Sequence, residues 1–510
     1  MPSASSSAAA TTTTKIYGVS QPISLAHPTP KDLSLTCSLL QELKSFGSFE
    51  AKEETTKRIQ VLQFLNATVK KWIQGISSAR LPNGVHSSGG DIDSVVIAPR
   101  QVSRTDFFTS LKDILIRNPN VKNLNAVEKA FVPIMSFEFA GVDVDLLFAR
   151  LDLAVIPEKI DLTDDNLLKN MDQESVRSLN GVRVAEKLLQ LVPNRESFCM
   201  TLRAIKVWAK SHGVYSNAMG FFGGITWALL VARTCQLYPN ASPSRLVQKV
   251  FYVFSTWNYP SPIVLCMPTR ERPDMLALDN LCWGRNHADR FHLMPIITPA
   301  FPEQNSTHNV SRSTMEVIKQ EMVDALTICN DIFEGKCDWK HLFEEVNFYS
   351  QYKHFVVMKL DAKKEETENS YGGFLESRLR VLVGAFERNR GIKMAHLNPK
   401  KCQPTSKSQS LWFIGLEFDE VVKNMDLTRE IDNFKWNLNV QAKQIAGFEE
   451  VELDISYVKR SHLIKYLPAA ELKKGRFHVA KGSSDDNKEN VGGLKRKGDP
   501  MPSVASKKLC

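Results

Sequence analysis

The residues best suited to chemistry are Gly89-Gly90-Asp91-Ile92-Asp93, which lead through Ser94 into the apolar run VVIA, 95–98. Asp91 and Asp93 stand two apart on a strand, so both carboxylates point to one face. Two like charges side by side are unfavourable unless a divalent cation sits between them. The two glycines leave backbone N–H groups free to approach a phosphate. A second strand, Val142–Phe148, alternates Val142, Val144, Leu146 and Phe148 with Asp143, Asp145 and Leu147. Either Asp143 or Asp145 can supply a third carboxylate from a neighbouring strand. Three such groups make a hard-oxygen site suited to Mg²⁺, or to a metal pair that clamps the attacking and leaving oxygens of a phosphoryl transfer.

These strands need a scaffold. Ile59, Leu62, Leu65, Val69 and Ile73 recur at helical spacing and predict one helix over Glu53–Ile76. Strands are predicted at Asp91–Ala98, Ile134–Phe139 and Val142–Phe148. Residues 151–330 read as mostly helical. The longest charge-free run, Gly213–Ala232, carries four glycines and reads as a buried helix behind a glycine-rich turn, not a membrane span. Further on, strands at 352–360, 392–397, 411–418 and Val451–Val458, with one helix through Leu375, Leu379, Leu382, Val383 and Phe386, suggest a small α/β domain resembling an RNA-recognition module. It lacks that module's aromatic consensus stretch.

Composition narrows the class. Of 510 residues, 43% are apolar and 24% charged, the balance of a globular chain with room for several domains. The 65 Lys and Arg exceed the 56 Asp and Glu by nine. Ten of the basic residues against five acids lie in 471–510, so the body is nearly neutral and a nucleic-acid site there must be a local patch. Nine scattered cysteines without a C-x-x-C pair argue against a zinc site or disulfide framework and for a reducing compartment. The first residues, MPSASSSAAATTTTK, lack the basic and apolar regions of a secretory signal.

Taken in order, the blocks YGVSQPISLAHPTPKDL (17–33), GVHSSGGDIDSVVIAPR (84–100), AFVPIMSFEFAGVDVDLLFAR (130–150), RSLNGVRVAEKLLQLVP (177–193), the long block 201–241 and HLMPIITPAFPEQNSTHNVS (292–311) resemble nuclear, template-independent poly(A) polymerases of the DNA polymerase β-like nucleotidyltransferase superfamily. The resemblance implies an α+β multidomain fold. It comprises a disordered tail (1–16), a mixed-sheet catalytic domain (17–150), a helical central domain (151–335), a ferredoxin- or RRM-like RNA-binding domain (336–470) and a basic disordered tail (471–510). It implies transfer of AMP from ATP to an RNA 3′-OH with release of pyrophosphate. By the same resemblance Asp91, Asp93 and Asp145 hold Mg²⁺ or Mn²⁺, which selects Asp145 over Asp143, and Ser87 and Ile92 lie against the nucleotide. Lys206 and Lys210, one helical turn apart and so on one face, contact the triphosphate. Tyr215, Gly224 and Ile225 lie along the ATP, and Asn180 and Asn217 near the base and primer end. His86 shares the phosphate-side loop with Ser87.

One departure stands out. The family carries a Phe-Gly-Ser turn after a strand, just before the GVH segment. Here WIQGISSARLPN runs straight into GVHSSGGDID, and a strand and turn are missing. Ser78-Ala79-Arg80-Leu81 is the alternative stand-in. Losing the glycine removes a close backbone approach to phosphate. A chain so shortened could instead be a catalytically weak binding protein of the 3′-processing machinery. The expected partners are the RNA 3′ end and cleavage and polyadenylation proteins, with no membrane, as a monomer. Leu494-Lys495-Arg496-Lys497 and Lys507-Lys508 resemble a bipartite import signal, so the expected location is the nucleus.

Overall fold

The computed structural model describes residues 16–49, 51–77, 85–87, 92–157, 159–403, 406, 408–420, 425–443, 448–473 and 475. Its longer helices are α1 (Pro30–Ser45), α2 (Lys52–Ser77), α3 (Gln173–Leu191), α4 (Arg195–Ser211), α5 (Gly224–Leu237), α6 (Pro243–Ser255), α7 (Arg312–Glu334), α8 (Glu365–Arg388) and α9 (Thr428–Ala442). The strands are β1 (Val85–Ser87), β2 (Ile92–Ala98), β3 (Val121–Val127), β4 (Ile134–Phe139), β5 (Val142–Arg150), β6 (His354–Ala362), β7 (Ile392–Leu397), β8 (Gln409–Phe418) and β9 (Val451–Lys459).

The first sheet runs β1-β2-β5-β4-β3, with β2 parallel to β5 and the other pairs antiparallel. Val61, Leu65, Val69, Trp72 and Ile73 of α2 share one core with Val95, Val96 and Ile97 of β2 and Val144, Leu146 and Phe148 of β5. Between β4 and β5 lies a two-residue turn. Ala140 and Gly141 both have positive φ (51° and 77°), the handedness that matches strand twist. That turn fixes Ser136 opposite Asp145. β3 is a polar edge strand with an irregularity between Lys122 and Asn125, and periodicity did not reveal it.

The helical body is centred on α5, whose residues from Thr226 to Leu237 are all buried. Gly224–Ala232, the second part of the charge-free run, forms the expected buried helix, which continues through Arg233 to Leu237. Trp208 of α4 packs edge-on against Trp227 of α5 at 5.5 Å. His212, just past α4, is pinned by Glu321 of α7 at 2.6 Å and by the Leu342 carbonyl at 3.0 Å. Although α1 precedes the sheet in sequence, it packs into this body: Leu39 and Leu43 join its core, and Asp32 meets Arg245 of α6 at 2.7 Å. Among the described residues, no helix is long and apolar enough to cross a membrane.

The second sheet, β7-β8-β6-β9, is antiparallel throughout. With α8 and α9 it makes the β-α-β-β-α-β ferredoxin-like arrangement. Leu375, Leu379 and Leu382 of α8 and Phe434 and Leu438 of α9 cover one face. The other face carries Phe355, Val357, Leu411, Phe413 and Val458, packed under Phe348, Tyr349, Leu463 and Leu467. The face that an RNA-recognition module uses as its stacking platform is therefore occupied by the chain's own apolar side chains. The resemblance to such a module holds for topology and not for that surface.

Candidate nucleotidyl-transfer site

On β2 and β5 the parallel register sets Asp93 directly beside Asp145. Adjacent strands lie about 4.8 Å apart, and residues paired in register project to the same face. Asp93 is exposed and Asp145 half-buried, while their neighbours Ile92, Ser94, Val144 and Leu146 are buried on the opposite side. Asp143 is paired with Glu138 of β4 and is exposed. The register thus places Asp145 nearer than Asp143 to Asp93. Asp91, like Gly89 and Gly90, lies outside the described residues. His86 and Ser87 sit on β1, opposite Val95 and Ser94.

Helix α3 links this sheet to the helical body. Its N-cap Asp172 is held by Arg104 at 2.7 Å, and Ser175 receives the backbone N–H of Arg150 at the end of β5 (3.1 Å). Midway along, the buried Arg183 binds Asp165 at 2.6 Å and the carbonyls of Phe301 (3.2 Å) and Leu162. Asn180 lies one turn before Arg183. Its Oδ1 is buried with no hydrogen-bond partner in the protein, an acceptor held ready at a cost.

A second cluster forms around α4 and the start of α5. A Cβ added to Gly224 would stand 2.8 Å from the Tyr215 hydroxyl and 3.7 Å from Lys206 Nζ. Lys210 Nζ lies over the Tyr215 ring, 5.4 Å from its centre. Lys206, Lys210, Tyr215 and Gly224 therefore converge. Gly223 caps α5 without a side-chain hydrogen bond, and a helix N-terminus favours anionic groups. Ile225 is 40% exposed beside it. Asn217 is exposed, and its carbonyl accepts from Asn309 Nδ2 at 3.1 Å. Burial first, then Lys210 and Arg203, lowers the Lys206 pKa below the usual lysine value. A lysine so shifted loses its charge earlier than a free lysine as pH rises. The KM for ATP should therefore climb by about tenfold on the alkaline side, and Lys206→Arg should flatten that climb. A pH series of KM on both proteins checks this.

One feature escaped sequence reasoning. Phe131, at the tip of the β3–β4 hairpin, is 69% exposed, and Arg177 of α3 lies flat over it at 3.9 Å. Arg177 is one turn before Asn180, so the pair extends the same helix face. An aromatic two residues before a proline in AFVP was the available signal, but its exposure was not readable.

Paired carboxylates on adjacent strands of one mixed sheet, and two lysines gathered at a glycine-capped helix start, both suit the transfer of a nucleotidyl group. Comparison with known proteins narrows this. The poly(A) polymerase nucleotidyltransferase domain matches residues 18–84 and 79–192, the central domain 197–345, and the "predicted RNA binding domain" 347–410. The two segments of the first match overlap at 79–84, where WIQGISSARLPN runs straight into GVHSSGGDID. Nuclear poly(A) polymerase 1 of Arabidopsis thaliana is 39% identical over 93% of this chain and 69% of its own length. The poly(A) polymerase of Dictyostelium discoideum is 36% identical over 97% of this chain and 63% of its own. A solved structure of Cid1, titled for its RNA terminal uridylyl transferase activity, aligns over 62% of this chain and 99% of its own at 14% identity and a TM-score of 0.40, too distant to add weight. The chain belongs to the poly(A) polymerase family, the template-independent polynucleotide adenylyltransferases. It spans about two thirds of the length of these relatives.

Proposed function

We propose that this chain transfers AMP from ATP to the 3′-OH of RNA, in nuclear pre-mRNA polyadenylation, and releases pyrophosphate. The observation that carries the reading is the Asp93–Asp145 register in a chain of this family. Two oxygen donors abreast on one sheet face fit a hard divalent cation, with Asp91 two residues upstream as the third donor. Mg²⁺ or Mn²⁺ held there would make the 3′-OH acidic and offset charge on the α-phosphate. Lys206 and Lys210 bind the triphosphate, Tyr215 orients it, and the open N-terminus of α5 at Gly224 and Ile225 faces it. Ser87 and Ile92 border the phosphates. Asn180 accepts from the adenine amino group through its unpartnered Oδ1, and Asn217 lies toward the primer end. Phe131 with Arg177 offers a flat surface for a primer base. No template strand is needed, because these side chains alone choose the base.

The names of the relatives favour a nuclear location, and the basic clusters at 494–497 and 507–508, outside the described residues, are the import signal of this reading. RNA and the proteins of a cleavage and polyadenylation complex are its partners, and the chain acts as a monomer. The binding-only alternative has no observation in its favour. Offered equal concentrations of the four nucleoside triphosphates and an RNA primer, the protein should incorporate ATP at least about a hundredfold faster than the others. Equal use of UTP would overturn the adenine assignment.

A further inference from the structure

Past the triphosphate-facing turn of α4 lies a seam between the helical body and the second sheet. It holds a solvent-open cavity of about 80 Å³ lined by Lys210, Gly213, Asn398 and Lys400, with the carboxylates Glu345 and Glu471, among others. The seam is tightly built. Gly213 has φ +66°, and Pro399 Cδ lies 3.7 Å from where its Cβ would stand. Val346 donates its N–H to the Ser211 carbonyl at 3.3 Å. The loop from the second sheet is equally fixed: Asn398 Oδ1 accepts the Lys400 N–H at 3.0 Å, and Lys401 is paired with the fully buried Glu368 at 3.3 Å. Lys400 is thereby presented at the cavity mouth. Its ion pair is with Glu345 at 3.8 Å, both side chains about half exposed (57% and 46%), an interaction too weak to hold it.

We propose that Lys400 and Lys210 form a phosphate subsite that takes a backbone phosphate of the RNA primer close to its 3′ end. The inference rests on the adenylyl-transfer reading and adds to it a residue from the second sheet domain. The roofed face of that sheet cannot serve as a stacking platform, so its RNA contact falls at the edge that meets α4. Lys210 borders both the Tyr215 cluster and this cavity, and Lys400 brings a second positive charge to the cavity lining. Lys400 gives up the loose Glu345 contact for the phosphate, a charge-assisted bond that is stronger.

Phosphate could also come from the ATP itself, and the test separates the two. Binding of a labelled oligo(A) primer to the full chain is followed by fluorescence anisotropy without ATP, across a salt series, for wild type, Lys400→Ala and Lys400→Arg. KM values for primer and for ATP are measured in parallel. Lys400→Ala should weaken primer binding by about tenfold and lower the salt slope by about 0.7, one single-strand phosphate contact. Lys400→Arg should restore both, and the KM for ATP should stay unchanged. Unchanged primer affinity and slope would overturn the proposal, as would a rise confined to the KM for ATP, which would assign the cavity to the triphosphate. The binding arm needs no turnover. A chain that binds primer through Lys400 but does not extend it would sink the adenylyl-transfer reading and leave the subsite standing.

Discussion

Replacing Asp93 by alanine is expected to reduce adenylate incorporation by at least about a thousandfold, roughly 4 kcal/mol of transition-state stabilisation, with primer binding retained. Asp93 and Asp145 are in-register partners on parallel strands, one exposed and one half-buried. Neither side chain is fully buried, so removing one charge should leave the melting temperature within a few degrees of wild type. Lost turnover at unchanged stability is the signature of carboxylates kept for chemistry. Asp145→Asn should behave alike. Asp143→Asn, at the exposed position beside Glu138, should cost far less. Incorporation of labelled ATP, primer anisotropy and thermal unfolding on the three variants separate these outcomes. Equal losses at Asp143 and Asp145 would contradict the assignment.

The second large effect is expected at Gly224. The added Cβ would fall 2.8 Å from the Tyr215 hydroxyl, closer than side chains approach, and 3.7–3.8 Å from the end of Lys206. Gly224→Val should push the Tyr215 ring and the Lys206 ammonium out of line with the triphosphate. The KM for ATP should rise by about a hundredfold, equivalent to two displaced charge-assisted contacts. The fold should survive. Gly224 is the first residue of α5 and the core of that helix begins at Thr226. Gly224→Ala should show a smaller rise. Steady-state kinetics with melting curves test this, and an unchanged KM in the valine variant would remove Gly224 from the nucleotide site.

Much of the fold was legible because apolar periodicity was strong where burial is deep. Helix α2 extends one residue beyond the expected Glu53–Ile76 at each end, and β4 and β7 match their expected bounds. Strand β3 and helix α9 were not legible. β3 is a polar edge with little alternation, and α9 carries exposed Trp436 and Val440 on its outer side, which blurs its apolar stripe. The attachment of α1 to the helical body was hidden too, because Asp32–Arg245 spans more than two hundred residues of sequence.

For the site, alternation alone put Asp143 and Asp145 on one face but could not choose between them, since the parallel pairing of β2 with β5 is not written in either strand. The approach of Tyr215 and Gly224 also depends on a turn, braced by the Tyr215–Phe222 bridge, that no periodicity announces. There the family resemblance carried the assignment, and the structure adds that Lys206, Lys210, Tyr215 and Gly224 lie close together. Phe131 and Arg177 were missed because exposure of a large aromatic cannot be read from its neighbours.

Template-independent adenylyl transfer by this chain is expected despite its shortened Gly-Ser region. It is tested most directly by a single-turnover assay of the full chain with labelled ATP, an oligo(A) primer and Mg²⁺ or Mn²⁺, scoring primer extension and pyrophosphate together. Extension without any template is expected, with one pyrophosphate released per adenylate added. A folded protein that binds the primer and ATP but extends nothing with either metal would contradict it.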